Sequence, residues 1–173
     1  QFSNDIKELD GSNYQISSYS TNQGKVLGIF RILKRSDEYL ILINSKIANK
    51  LLDKLNMYKL GSDVMIILEN NICLYSIISE IKIDEINKNE KYQIKKKDNY
   101  VILNNCHDQI LSYIYITTKK DLYDEYLMKN YKKVDYSILR LLDMLKGIHH
   151  LNEYSFEKFI PQNLNMSSDM GIN

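Results

Sequence analysis

Apolar and polar positions follow two different periods along this chain, and the changeover between them predicts its elements. Val26-Leu27-Gly28-Ile29-Phe30-Arg31-Ile32-Leu33 reads as a strand, Arg35-Ser36-Asp37-Glu38 as a turn and Tyr39-Leu40-Ile41-Leu42-Ile43 as the hairpin partner. The partner run is apolar throughout, which predicts cover on both faces. Ile47, Leu51 and Leu55, with Ala48 and Leu52 beside them, then recur at helical spacing up to a stop near Gly61. Val64–Leu68 returns to strand composition, and Asn70-Asn71 offers a turn into Ile72–Ile83, whose phase changes around Ser76–Ser79 as a bulge would make it. After a polar stretch from Asp84 to Glu90, Lys91–Lys95 and Tyr100–Leu103 flank Lys96-Lys97-Asp98-Asn99, a hairpin turn. Ile110–Thr118 is strand-like, being rich in Tyr, Ile and Thr.

From Lys119 the period lengthens. Leu122, Tyr126 and Leu127 form a helical stripe, and Asp135 is placed to cap a second helix with the apolar face Ile138, Leu139, Leu142 and Leu145, ended by Gly147. A short third helix is expected over Ser155–Phe159, stopped by Pro161. Residues 1–23 are Ser/Asn-rich, with room for one or two short edge strands. The expected fold class is α+β: a mostly antiparallel sheet with one inserted helix, followed by two or three C-terminal packing helices. The expected organisation is a polar segment 1–23, a single domain 24–165 (strand-rich 24–118, helical 119–160) and a frayed tail 166–173.

Composition narrows the classes without choosing one. The 173 residues are 44% hydrophobic and 26% charged, enough for a core and a solvated surface, with 23 Lys+Arg against 22 Asp+Glu. A net charge of +1 is not the global positive field of a dedicated duplex-DNA binder. Heavy use of Ile, Asn, Lys and Tyr fits an AT-rich genome, so clusters of Lys or Asn carry little weight. Cys73 and Cys106 are the only cysteines, which makes no disulfide framework and matches no zinc spacing; a cytosolic or nuclear location is expected. Gln1 to Gly24 is polar, so no signal peptide is expected there, and the absent initiator Met suits a fragment or a processed terminus.

Catalytic chemistry is mostly missing. Six glycines, at 11, 24, 28, 61, 147 and 171, cannot build a dinucleotide or P-loop phosphate cradle. A Cys-x5-Arg phosphatase loop is excluded because Ser79 and Ser112 stand six residues beyond the two cysteines. Cys106-His107-Asp108 reads as a loop edge, since adjacent side chains seldom point into one site, and His149-His150 as a surface pair after a helix end. No catalytic residue, metal ligand or cofactor is expected.

The best binding candidate is the lysine cluster. Lys88, Lys91, Lys95, Lys96 and Lys97 gather about one hairpin with Tyr92 and Tyr100 between them. Such a group can hold a phosphoinositide headgroup, or single-stranded nucleic acid through charge and stacking. The plainer reading, a solvated hairpin with lysines guarding a sheet edge, outweighs it.

Three spaced segments resemble the N-terminal, non-catalytic domain of the Sac-family phosphoinositide phosphatases. Gly28-Ile29-Phe30-Arg31-Ile32 with Tyr39–Ile43 is similar to the family's Gly-led strand and its Tyr-Leu-Ile partner. Ile114-Tyr115-Ile116-Thr117, then Asp121-Leu122-Tyr123 and Leu127, is similar to its Phe-Tyr-Phe-Ser strand and following helix, and Phe159-Ile160-Pro161 to a Pro-containing segment leading to the catalytic domain. The resemblance implies a docking platform of a phosphoinositide phosphatase, or of a catalytically dead relative. Its implied partners are an anionic membrane lipid or a catalytic or partner protein domain, in the cytoplasm and peripherally on endomembranes. Any lipid-phosphatase activity would then belong to a parent protein. Two alternatives stay open. One is an OB-like single-stranded nucleic-acid-binding subunit of telomere-capping type, its barrel drawn from Lys25–Leu33, Tyr39–Ile43, Val64–Leu68 and Ile72–Ile83. The other is a structural interaction subunit with an exposed apolar helix face.

Overall fold

Strand β2 (Val26–Arg35) meets β3 (Glu38–Leu42) through the turn at Ser36-Asp37, in an antiparallel register that pairs Arg31 with Leu42 and Arg35 with Glu38. Ser36 takes a left-handed φ of 55° there, and Arg35 and Glu38 form an ion pair across the turn. These coordinates are a computed structural model that describes residues 2–81, 92–106, 110–164 and 166. The fold class is α+β, as the periodicity predicts, but the strands of the described residues form two sheets rather than one, of three and of four strands.

The chain divides into two units. The first takes residues 1–10, 15–69 and 147–173. Its edge strand β1 (Tyr14–Ser20) comes from the polar N-terminal segment and is largely buried. Helix α1 (Ser45–Tyr58) starts where Asn44 accepts a hydrogen bond from the Lys46 amide, and buries Ile47 and Leu51 on the predicted stripe. Leu51 joins Leu9, Tyr19, Leu27, Phe30 and Ile32 in one core, with Leu55 and Phe156 packed against it. Gly28 permits this approach: a Cβ there would stand 3.0 Å from Ile43 Cδ1 and 3.5 Å from Leu51 Cδ2. The C-terminal segment returns to this unit. The Val26 amide donates to the Phe159 carbonyl at 2.8 Å, and Asn44 Nδ2 to the Leu151 carbonyl at 2.9 Å.

The second unit takes residues 11–14 and 70–146. Its sheet runs from β4 (Cys73–Ser79) through β7 (Leu111–Thr117) and β6 (Tyr100–Asn104) to β5 (Ile94–Lys96), with every neighbouring pair antiparallel. Ile77, Ile102, Tyr113, Tyr115 and Tyr123 form its core; Tyr123 is the buried residue of helix α2 (Lys120–Asn130). Helix α3 (Tyr136–Leu145) is capped by Asp135, whose Oδ1 accepts from the Ser137 amide at 2.8 Å. Hydrogen bonds from Ser137 hold the Asp135 carboxyl below its ordinary range. Gly147, at φ 72°, follows the last turn of α3, as expected.

Several element-level expectations are corrected. Val64–Leu68 forms no ladder among the described residues; it has no regular secondary structure and is mostly exposed, because strand composition needs a neighbouring strand to become a strand. The run from Ile72 yields β4 over Cys73–Ser79 in unbroken register with β7, so no bulge sits at Ser76–Ser79. The apparent phase change arises because β4 carries apolar residues on both faces, Leu74 and Ile78 on one, Tyr75 and Ile77 on the other. The third helix is absent: Ser155–Phe159 makes hydrogen-bonded turns, with Glu157 at φ 61°, and a single 3-10 turn begins at Pro161. On α2, Leu122 and Tyr126 face solvent while Tyr123 goes inward. On α3, Leu142 is buried and Leu139 half-buried, yet Ile138 and Leu145 are exposed and Asp143 is only 2% exposed. Helix rotation depends on what the sheet offers, which periodicity alone does not contain. No helix among the described residues is long and apolar enough to cross a membrane.

Candidate functional site

The lysine hairpin forms, with β5 pairing Lys95 to Ile102 and Lys96 to Val101, and the Lys97 amide donating to the Tyr100 carbonyl at 2.9 Å around Asp98-Asn99. Thr117 Oγ1 donates to the Asn99 carbonyl at 2.7 Å and ties the turn to β7. The pleat then divides the cluster. Lys95 and Lys96 are consecutive strand residues and project to opposite faces. Lys96 and Lys97 are exposed and Lys95 is half-buried. Lys88 and Lys91 lie outside the described residues.

Both predicted aromatic partners are half-buried and make ring contacts within the fold. Tyr100 stacks on Tyr115, with ring centroids 5.3 Å apart and planes 26° apart, and meets Tyr123 edge-on at 5.1 Å. Tyr92, at a left-handed φ of 63°, sets its ring edge-on to Tyr14 at 5.4 Å, while its carbonyl accepts from the Tyr14 amide. Both rings contribute to packing instead. The exposed part of the hairpin is thus chiefly its charge, at Lys96 and Lys97.

A continuous series of tyrosines runs from this hairpin to the outer side of α2. From Tyr100 and Tyr115 it passes through buried Tyr123 to Tyr126 at 6.4 Å, and from Tyr126 to Tyr131 at 6.5 Å. Tyr75 adjoins the same core, and its hydroxyl donates to Asp124 Oδ1 at 2.7 Å. Burial first, and the bond to Asp124 second, push the Tyr75 phenol well above its ordinary range. A phenol raised in this way contributes fully below its unfolded value of about 10, and that contribution falls as pH rises beyond it. Tyr75→Phe is expected to cost about 1 kcal/mol at neutral pH and to flatten the alkaline loss of stability, read from urea midpoints between pH 8 and 11. An unchanged alkaline limb would show that Tyr75 does not carry it.

Buried polar groups collect at the far end of β6. Asn104, Asn105 and Ser112 are buried; Asn105 Nδ2 donates to Ser112 Oγ, and Lys146 Nζ donates to the Asn105 carbonyl at 2.6 Å. Tyr14 donates its hydroxyl to the Asn104 carbonyl at 2.8 Å. Cys106 adjoins them, its amide bonded to Asn104 Oδ1 and its thiol 3.5 Å from the Ser112 carbonyl. These bonds close a strand end rather than open a cleft. His107 and Asp108 lie outside the described residues. Both cysteines are free, and among the described residues no three His, Cys, Asp or Glu side chains gather as metal ligands would. Sequence reasoning missed Asp143, Lys146 and the exposed tyrosines of α2 and α3. The signal for the last was present, as Lys and Tyr recur between residues 126 and 136.

No family model matches the chain. It is 24% identical over 181 residues to the tRNA-modifying protein YgfZ of Buchnera aphidicola subsp. Baizongia pistaciae (strain Bp), an alignment covering 99% of this chain and 56% of that protein. The chain thus spans little more than half the length of this relative. This likeness overturns the Sac-type expectation, and with it the phosphoinositide platform and the lipid-binding and peripheral-membrane roles it implied. The motifs behind that expectation, a Gly-led strand, a Tyr-Leu-Ile strand and a lone Pro, are features any antiparallel sheet in an Ile- and Tyr-rich chain can show. The OB-like alternative fails too, since the strands make two separate sheets in which Val64–Leu68 takes no part. The structural-subunit alternative gains nothing from the comparison. What the chain is similar to, along nearly its whole length, is part of a tRNA-modifying protein.

Proposed function

We propose that this chain is part of a protein acting in tRNA modification, and that its four-stranded unit contributes RNA contacts rather than the chemical step. The observation that carries the reading is the end-to-end likeness to the tRNA-modifying relative, which leaves almost no residue of this chain unaligned. A supporting feature is the hairpin, where exposed Lys96 and Lys97 carry ammonium groups that can meet a phosphate backbone. Its tyrosines are engaged in packing, so the hairpin serves charge-based contact that is indifferent to sequence.

The decisive experiment disrupts the gene in the organism that encodes it and profiles tRNA nucleosides by mass spectrometry. At least one modified nucleoside is expected to fall and to recover on complementation. A nucleoside profile identical to wild type would overturn the proposal. For the hairpin, Lys95→Glu/Lys96→Glu/Lys97→Glu is expected to weaken tRNA binding at least tenfold at low salt, with a shallower dependence on salt concentration.

A further inference from the structure

The function proposed above makes no use of the corner where α2 ends and α3 begins, although that corner holds what the lysine hairpin lacks. Tyr126 is 51% exposed and Tyr136 is 61% exposed, and Lys129, Lys132 and Lys133 lie between them in the chain, all exposed. From residue 129 to residue 140 the cations are Lys129, Lys132, Lys133 and Arg140, and the one carboxylate is Asp135. That carboxylate is turned back onto the Ser137 amide as the cap of α3. Asp121, Asp124 and Glu125 precede Tyr126 in α2, so the excess of positive charge lies on the C-terminal side of that tyrosine, from Lys129 onward.

A single exposed tyrosine on a protein surface requires no explanation. Tyr126 differs because it is fixed. Its ring touches buried Tyr123 edge-on at 6.4 Å on one side and Tyr131 at 6.5 Å on the other. Held by a buried neighbour, it presents its outer surface with little rotamer freedom left to lose on binding. The tyrosine series also places it two ring-to-ring steps, 5.1 and 6.4 Å, from Tyr100 at the base of the lysine hairpin. Stacking surface and phosphate-binding charge therefore stand side by side in one unit.

We infer that the α2–α3 corner is a stacking platform for unpaired bases of RNA. Tyr126 and Tyr136 take the bases, while Lys129, Lys132 and Lys133 meet the phosphates on either side. The inference rests on the tRNA-directed reading for the identity of the polyanion. The geometry adds the form in which the RNA is held, as an unpaired segment rather than a helix, because only an unpaired base exposes a face to a tyrosine ring. Val134, Ile138 and Leu141, with Leu122 and Met128 of α2 and Met144 and Leu145 of α3, are also exposed and would suit a protein partner. The density of lysine argues against that occupant, since lysine is depleted at the centres of protein–protein interfaces.

The test uses the full chain, a fluorescein-labelled 12-nucleotide oligouridine and an RNA duplex of the same length. Wild type is expected to bind the single strand more tightly than the duplex. Tyr126→Ala/Tyr136→Ala should weaken single-strand binding about 25-fold, two stacked bases at roughly fivefold each. Tyr126→Phe/Tyr136→Phe should bind within about twofold of wild type, because the ring and not the hydroxyl does the stacking. Lys129→Ala/Lys132→Ala/Lys133→Ala should reduce the logarithmic salt slope by about 2. Alanine variants that bind RNA as wild type does, or phenylalanine variants as weak as the alanine ones, overturn the platform. If the alanine variants change the oligomeric state and leave RNA binding untouched, the corner is a protein interface instead. The two proposals fail separately. A wild-type chain that ignores RNA, while gene disruption still lowers a modified nucleoside, sinks the platform and the RNA contacts of the four-stranded unit but not the part in tRNA modification; RNA binding with the full tyrosine dependence beside an unchanged nucleoside profile sinks only the tRNA-modification role.

Discussion

Tyr123→Ala is expected to destabilise the four-stranded unit by about 3–5 kcal/mol, the usual cost of deleting a buried aromatic ring. Tyr123 is the buried residue of α2, and its ring contacts Tyr100, Tyr115 and Tyr126. Removing it opens a cavity beneath α2 that its neighbours cannot fill, because Leu122 and Tyr126 already lie on the solvent side. Hydrogen exchange should show lost protection across α2, β6 and β7, together with a lower urea midpoint. A cost under about 1 kcal/mol would mean that α2 docks through other contacts.

The second large effect is expected in the three-stranded unit. Gly28→Val places a β-branched side chain where even a Cβ stands 3.0 Å from Ile43 Cδ1, and Leu51 of α1 blocks retreat on another side. Overpacking of this kind costs about 1–3 kcal/mol, less the few tenths regained because valine has fewer unfolded conformations than glycine. The crowding atom makes the claim specific. Ile43→Val removes Cδ1 and by itself should cost about 0.5–1.5 kcal/mol. Combined with Gly28→Val it should cost at least about 0.5 kcal/mol less than the two single losses together, in a cycle read by urea denaturation. Strict additivity would show that Gly28 is required for something other than the approach of Ile43.

Much of the element plan is legible in residue order. The β2–β3 hairpin, α1 with its inward Ile47 and Leu51, the lysine hairpin, β7 and the Asp135 cap of α3 all follow from period, turn chemistry and capping. Each is local: the residues that specify it lie within one or two turns or strands of one another. The functional reading was far less legible. Lys95–Lys97 attracts attention as a sequence run, but the pleat separates Lys95 from Lys96, and Tyr92 and Tyr100 are half-buried in ring contacts. The corner at Tyr126–Tyr136 is not legible in the sequence, because Tyr126 reads as part of a buried helical stripe and only the rotation of α2 turns it outward.

The order of residues alone determined the fold class, the type of most elements, and the absence of a phosphate-cradling glycine loop or a Cys-x5-Arg loop. Those properties depend on near neighbours or on which residue types exist at all. Only the tertiary structure decided that the strands form two sheets, that Val64–Leu68 stays outside both, and that Asp143 is buried while Tyr126 and Tyr136 face solvent. The physical reason is that strand pairing and helix rotation are settled by partners distant in the chain. The same tyrosine is core when a sheet covers it and a surface platform when none does.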